Sequence, residues 1–311
     1  MDTAELRETL DGFARDNDFS GVVSICVAEE MAFEAAYGLA DREHQRLNTP
    51  NTRFGLASGS KAFTALTVMR LVEDHRLDLS TTARSLLGTD LPLVDSTVTV
   101  EHLLAHRSGI GDYIDETLVE DVEVWPFEVS ASALVTTSDY LPLLDGRPQT
   151  FSPGTEFAYC NGGYVLLASL CERVTGTPFI ELVQLHVFNP ADLRSTAFLD
   201  LLQLPTDAAL GYLADGRPNT ANLPRWGSGD GGCASTAADL ARFWRAFFDG
   251  SIVGNDSLRT MITARSDVPT EGKRYGLGFW LDQTNDSVSI EGLDAGVSFR
   301  TLYPAILVRV P

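Results

Sequence analysis

Residues 62–72 are apolar around almost the whole circumference of the helix that they would form. A helix of this kind is stable only when neighbouring elements cover it on every side, so we predict that it lies in the core. The preceding residues, 52–56, have the pattern of an extended segment. The chain therefore passes from an extended segment into a buried helix close to residue 60.

A hydroxyl and an amine stand at this transition, in Ser58 and Lys61. Residues three apart on a helix share a face, so the amine of Lys61 can reach the hydroxyl of Ser58. The start of the helix also presents free N–H groups and a positive dipole where an oxyanion would form. We interpret the pair as a nucleophile and its base. The alternative is that Ser58 caps the helix and Lys61 is a solvated surface residue.

Composition favours the functional interpretation of this pair. The chain has 23 basic residues, and only Lys61 and Lys273 among them are lysines. Burial can neutralise an ammonium, whereas a guanidinium stays charged. One of the two lysines therefore stands three residues after a serine, where a side chain that can become a neutral base would be needed.

Length and charge limit the class of protein. The 311 residues, 44% of them hydrophobic, fit a globular protein of one large domain or two lobes. A formal net charge of −20 opposes binding to nucleic acid or to an anionic membrane. The acidic N-terminal residues lack the apolar run of a signal peptide, so a cytoplasmic location is expected. Four scattered cysteines indicate neither a disulfide nor a zinc site.

Hydrophobic patterns predict a sheet lobe built from both ends of the chain and a mostly helical insert between them. We predict a helix at residues 4–13 and strands at 21–28, 31–37, 275–281, 288–290, 297–302 and 305–310. We assign residues 1–76 and 235–311 to the sheet lobe and 77–234 to the helical lobe, with the active site in the cleft between them.

Within the insert, Tyr159 and Asn161 stand in a segment with an extended pattern, just before a predicted helix at 164–174. Alternate residues of an extended segment point to one side, so a phenol and an amide would face one cleft while Cys160 faces away. This pair suits proton transfer and substrate orientation. Alternatively, Asn161 caps the following helix and Tyr159 is a core aromatic residue.

The chain resembles the serine β-lactamase and penicillin-binding-protein family. The resemblance is carried by the motifs Ser58-x-x-Lys61 and Tyr159-x-Asn161 and by the sequences at 103–110 and 231–240. The resemblance covers nearly the whole chain and is strongest to the branch of class C β-lactamases, D-aminopeptidases and family VIII esterases. It implies an α/β fold of the α+β type, with an antiparallel sheet flanked by helices and an all-helical lobe. It also implies acylation of Ser58, proton abstraction by Lys61, proton transfer to the leaving group by Tyr159, and positioning of the substrate and Lys61 by Asn161.

The third motif of this family, a cation or aromatic residue followed by any residue and glycine, aligns with Ile290-Glu291-Gly292. Ile290 replaces the usual cation and is predicted to point toward the cleft, with Glu291 pointing away. Arg300, on the next predicted strand, is a candidate substitute. This departure leaves the acyl-transfer chemistry in place but disfavours recognition of a substrate carboxylate.

The same alignment places an oxyanion hole at the backbone N–H groups of Ser58 and Leu293. Its contribution would not depend on side-chain identity, and each donor would stabilise the transition state by roughly 3 kcal/mol.

His102 and His106 stand four apart in a segment with a helical pattern, a spacing that can chelate zinc. Glu101 precedes the first histidine, whereas the metallopeptidase pattern needs glutamate just after it. We predict no metal and no cofactor.

The sequence therefore predicts a serine hydrolase that cleaves a small ester, amide or peptide through an acyl-serine intermediate. An esterase or D-amino-acid-type peptidase is the first interpretation, and a β-lactamase or penicillin-binding DD-peptidase is the alternative. A non-catalytic binding protein with this fold is the third, and the intact motif residues argue against it. No nucleic-acid or membrane partner is expected.

Overall fold

The structure, a computed structural model, describes residues 3–27, 30–114, 123–124, 129–285 and 287–303. The α-helices in these ranges are α1 (Thr3–Asp16), α2 (Lys61–Glu73), α3 (Ala83–Leu87), α4 (Val100–Leu104), α5 (Thr137–Leu144), α6 (Asn161–Thr175), α7 (Phe179–Val183), α8 (Ala237–Phe248) and α9 (Asn255–Met261). The strands are β1 (Gly21–Val27), β2 (Glu30–Tyr37), β3 (Leu39–Asp41), β4 (Arg46–Leu47), β5 (Phe54–Gly55), β6 (Ala197–Phe198), β7 (Cys233–Ser235), β8 (Ser266–Val268), β9 (Lys273–Tyr275), β10 (Trp280–Asp282), β11 (Val288–Asp294) and β12 (Val297–Tyr303). None of these helices is long and apolar enough to cross a membrane.

Helix α2 is buried at the centre of the core, which confirms the prediction for residues 62–72. Phe63, Leu66 and Val68 have no exposed surface, and burial of each such side chain stabilises the fold by about 1.5–3 kcal/mol. The helix packs against α6 and α7. Thr64 donates its hydroxyl to the carbonyl oxygen of Gly229 at 2.6 Å, so a loop from far along the chain is held against α2.

A five-stranded antiparallel sheet, in the order β12-β11-β10-β9-β8, forms the second part of the core. Helix α8 packs near one face of it: the indole N–H of Trp244 donates to the hydroxyl of Thr301 at 3.0 Å, and the ring of Phe247 stacks on Phe279. The predicted combination of an antiparallel sheet with flanking helices is confirmed.

The strand predictions have different outcomes. Four predictions are confirmed as parts of longer elements: helix 4–13 lies within α1, strand 31–37 within β2, strand 288–290 within β11 and strand 297–302 within β12. Residues 21–27 of the predicted strand 21–28 are confirmed as β1. Residue 28 and the predicted strand 305–310 lie outside the described residues. The single strand at 275–281 is wrong, because Gly278 has a φ of +87° in a turn and Tyr275 pairs with Trp280 as a hairpin.

Residues 77–234 contain α3 to α7 and the short strand β6 in the part of the chain that the structure describes. A small sheet in the order β5-β7-β6 pairs the segment that precedes Ser58 with the C-terminal end of this region. Leu56 follows β5 and donates its N–H to the carbonyl oxygen of Cys233 in β7 at 2.8 Å. The return of the chain from the helical region is therefore fixed directly beside Ser58. The division into two lobes stays a prediction.

Candidate active site

Ser58 lies in a 3-10 turn, Ala57–Ser60, that leads directly into α2. The α-helix itself begins at Lys61, so the tighter turn that carries Ser58 lies between the extended segment and the helix. Ala57 has a φ of +47°, a left-handed conformation that costs an alanine about 1–2 kcal/mol. The amine of Lys61 donates to the hydroxyl oxygen of Ser58 at 3.0 Å, so the structure brings the two predicted residues together.

The amine of Lys61 is held by three acceptors. It donates to Ser58, to the side-chain oxygen of Asn161 at 2.8 Å and to the backbone carbonyl of Asp230 at 2.7 Å. The residue is 2% exposed. Because an ammonium has three N–H donors, this set satisfies the buried group completely.

Tyr159 is half-buried beside this amine. The amine of Lys61 lies 5.0 Å from the centre of its ring, and the ring of His106 lies 4.2 Å away, centre to centre. On the sheet side, the ring of Trp280 is parallel to Tyr159 within 7°, with centres 6.2 Å apart. The structure therefore brings Tyr159 to the same site as Ser58, Lys61 and Asn161.

Cys160 separates the two predicted side chains as the extended pattern requires. It has extended backbone angles and is the N-cap of α6, where its sulfur accepts the N–H of Gly163 at 3.3 Å. Asn161 is the first residue of the helix rather than its cap, and helix α6 begins three residues earlier than predicted. The side chain of Asn161 is consequently available to Lys61.

Two aspartates beside the site were not predicted. The carboxylate of Asp112 accepts the backbone N–H groups of Asn161 at 2.6 Å and Gly162 at 2.8 Å, and the carboxylate of Asp230 accepts the hydroxyl of Tyr113. Burial raises the pKa of Asp112 to about 6, against the two N–H donors that favour its charged form. Both residues lie in irregular segments without a hydrophobic period, so nothing in the sequence separates them from other loop aspartates.

The two histidines that were considered as metal ligands accept hydrogen bonds from backbone N–H groups. Helix α4 ends before His106, which has a φ of +54° and accepts the N–H of Cys160 on Nδ1 at 3.0 Å. His102 accepts the N–H of Thr99 on Nδ1 at 3.3 Å. Burial lowers the pKa of His106 well below its usual value, so its ring is neutral. The described residues contain no group of three potential metal ligands.

Strand β11 meets the Ser58 turn through Gly292. A Cβ atom at this position would overlap the carbonyl oxygen of Leu56 and lie 2.8 Å from the backbone nitrogen of Ser58. Only glycine permits this approach. β10 pairs with β11 only at Val288 and Ser289, so the remaining length of β11 has no partner in β10 where it meets the turn.

The predicted orientation of the third motif is wrong. The side chain of Ile290 is 2% exposed and belongs to the hydrophobic core, because it lies on the sheet face that packs near α8. Glu291 instead shares a face with Trp280, the neighbour of Tyr159. Arg300, the candidate substitute cation, is paired with Glu291 at 3.2 Å. Leu293, whose N–H was predicted for the oxyanion hole, follows Gly292 at the edge of the cleft.

A cavity of about 390 Å³ opens beside Ser58. Asn161, Asp230 and Leu293 contribute to its wall, and Ile290 does not. Most of the remaining wall is apolar, with side chains that include Ile114, Leu199, Leu201, Leu204, Leu223 and Pro224. Arg53 also lines it, but its guanidinium is paired with Asp207 at 2.6 Å. The cavity therefore suits a neutral, largely apolar group.

Comparison with known proteins identifies relatives over almost the whole chain. A family model described as Beta-lactamase matches residues 6–307. The crystal structure of a penicillin binding protein from Bacillus halodurans is 33% identical, covers 96% of this chain and 92% of that one, and superimposes with a TM-score of 0.89. A D-aminopeptidase from Gluconobacter oxydans (strain 621H) is 27% identical over 85% of this chain. The chain spans 48% of that protein's length and 66% of PbpX from Bacillus subtilis (strain 168), to which it is 26% identical.

Replacing Gly292 with alanine should reduce ester turnover by roughly a hundredfold, because the new Cβ would push β11 away from the Ser58 turn and a shift of about 1 Å can have that effect. The measurement is kcat/KM for p-nitrophenyl butyrate, with circular dichroism to verify folding. Gly12→Ala is the matched control, since a Cβ there meets nothing within 4 Å. Parental turnover in folded Gly292→Ala would contradict the close contact.

Asp112 should make turnover depend on pH near 6. Its carboxylate is ionised above that pH and accepts the N–H groups of Asn161 and Gly162 strongly, whereas protonation below it weakens both bonds. We expect kcat to fall as the pH is lowered through about 6. Asp112→Asn should lower kcat about tenfold at pH 8 and remove this step from the pH–rate profile.

Asp95 provides the control for this titration, because hydrogen bonds from Thr97 hold its pKa below the usual value. Asp95→Asn should keep the parental step near pH 6. A step that persists unchanged in Asp112→Asn would assign the titration to another group.

Proposed function

This chain belongs to the Beta-lactamase family, and we propose that it is a serine hydrolase that cleaves an ester or amide through an acyl-Ser58 intermediate. The observation that carries the proposal is the arrangement around the amine of Lys61. A neutral amine has two N–H donors and one lone pair. In the neutral form that the reaction requires, Asn161 and the carbonyl of Asp230 would keep these two donors, and the lone pair would face the hydroxyl of Ser58, which accepts the third N–H when the amine is an ammonium.

In the first half of the reaction, the oxygen of Ser58 attacks the carbonyl carbon of the substrate while its proton passes to Lys61. The backbone N–H groups of Ser58 and Leu293 stabilise the oxyanion that forms. When the tetrahedral intermediate collapses, the bond to the leaving group breaks, Tyr159 gives its proton to that group, and the proton that Lys61 took from Ser58 passes to Tyr159, so both residues return to their starting forms. Water then attacks the acyl-serine by the same steps, which releases the acid and restores the hydroxyl of Ser58.

The cavity supports a neutral substrate. Its apolar wall would accommodate an acyl chain or an uncharged side chain, and the arginine in that wall is already paired. Esterase or D-amino-acid-type peptidase activity is therefore the first candidate, and the D-aminopeptidase relative supports it. β-Lactamase or penicillin-binding DD-peptidase activity is the second candidate, favoured by the likeness to the Bacillus halodurans penicillin binding protein.

Replacing Ser58 with alanine should abolish hydrolysis of p-nitrophenyl butyrate and labelling by a fluorophosphonate, because no other hydroxyl receives the amine of Lys61 among its described contacts. Intact mass spectrometry measures the labelling. Ser60→Ala is the matched control: its hydroxyl donates to the carbonyl oxygen of Ala57 at 2.8 Å, so its loss should affect stability but leave the adduct. Labelling of Ser58→Ala would move the nucleophile elsewhere.

Replacing Lys61 with arginine should be nearly as damaging as replacement with alanine, with a loss of at least a hundredfold in the acylation rate. Arginine keeps the positive charge but cannot supply a neutral base. Stopped-flow measurement of acylation by the same ester tests this. Acylation of Lys61→Arg near the parental rate would make Lys61 an electrostatic partner and Tyr159 the base.

A further inference from the structure

The second lysine of the chain belongs to a charged cluster on the sheet. The amine of Lys273 is 2.5 Å from one carboxylate oxygen of Glu291, and the guanidinium of Arg300 is 3.2 Å from the other. The hydroxyl of Ser289 donates to the latter oxygen at 2.9 Å. These residues, Lys273, Ser289, Glu291 and Arg300, form what we call the Glu291 cluster. The single carboxylate of Glu291 therefore pairs with two cations, one from β9 and one from β12.

The Glu291 cluster lies beside the candidate active site on the side of Tyr159. The amine of Lys273 is 5.1 Å from the centre of the Trp280 ring, and that ring is parallel to Tyr159. Glu291 also directly precedes Gly292, whose backbone contacts the Ser58 turn. None of the cluster lines the apolar cavity on the other side of Ser58. A leaving group that receives its proton from Tyr159 would therefore depart toward the cluster.

The cluster remains accessible to a substrate. The side chain of Lys273 is 17% exposed and that of Arg300 is 61% exposed, so neither cation is sealed in the core. A substrate carboxylate that approached both cations would either displace the carboxylate of Glu291 or lie beside it. If Glu291 stayed in place, the two anions would repel each other.

We propose that Glu291 determines specificity by excluding substrates that carry a carboxylate on the leaving group. Its own carboxylate binds Lys273 and Arg300, the two cations that such a substrate would use. The inference rests on the proposed function and assigns to it a class of substrate whose leaving group is uncharged. Exclusion is a repulsive element of recognition, separate from the apolar contacts that accept the acyl group.

The test uses two esters that differ by one carboxylate, 4-nitrophenyl butyrate and 3-carboxy-4-nitrophenyl butyrate. In Glu291→Gln, which keeps the size of the side chain, the ratio of kcat/KM for the anionic ester to that for the neutral ester should rise roughly three- to tenfold. This range follows from the small energies of partly exposed ion pairs and is expected mainly in KM. Glu291→Thr, which suits a strand, should shift the ratio in the same direction.

Asp267→Asn is the control for net charge, because it removes one exposed carboxylate from β8 at the opposite edge of the same sheet. It should leave the ratio unchanged. Adding Lys273→Gln to Glu291→Gln should cancel most of the gain. A ratio in both Glu291 variants equal to that of Asp267→Asn would overturn the proposal, with hydrolysis of the neutral ester still supporting the hydrolase. Failure of the parent to hydrolyse either ester would overturn the hydrolase and the inference with it.

Discussion

The buried amine of Lys61 links the parts of the molecule that make up the site. Removing a charge from water is expensive by several kcal/mol, so the residue is stable in the core only when all its donors are satisfied. Its acceptors come from the Ser58 turn, the start of α6 and the loop that carries Asp230. Each of these segments must dock on α2 before the amine is satisfied. The group proposed as the base is therefore also the group on which these segments of the fold converge.

The sequence predicted the parts of the site that depend on local geometry. Ser58 and Lys61 lie three residues apart at the start of a buried helix, and Tyr159 and Asn161 alternate with Cys160, so short-range periodicity was sufficient. It failed for Ile290, since a shift of one residue in a strand reverses every side chain, and the sheet face that helices cover is decided by tertiary packing. It also failed for Asp112, a loop carboxylate whose importance comes only from the two N–H groups it meets.

Both lysines of the chain lie in special surroundings close to the candidate active site. Lys61 is enclosed by three acceptors, and Lys273 lies between the carboxylate of Glu291 and the face of Trp280. A compact ammonium concentrates its charge on a single atom, which suits both settings, whereas a guanidinium spreads its charge over a broad plane. The rarity of lysine therefore points to Lys273 as well as to Lys61, for a different physical reason, although only the structure shows the partners of Lys273.

The left-handed backbone at Ala57 gives the nucleophile a dependence on the assembled molecule. An alanine adopts this conformation only when its surroundings enforce it, and here the N–H of Leu56 is tied to Cys233 while Gly292 presses on the turn. These three segments are far apart in sequence. A chain that lost these tertiary contacts would keep its helices and every residue of its motifs, but the hydroxyl of Ser58 would no longer be held in position for attack. Chemical reactivity at this hydroxyl is consequently a stricter report of native tertiary order than spectroscopic helicity.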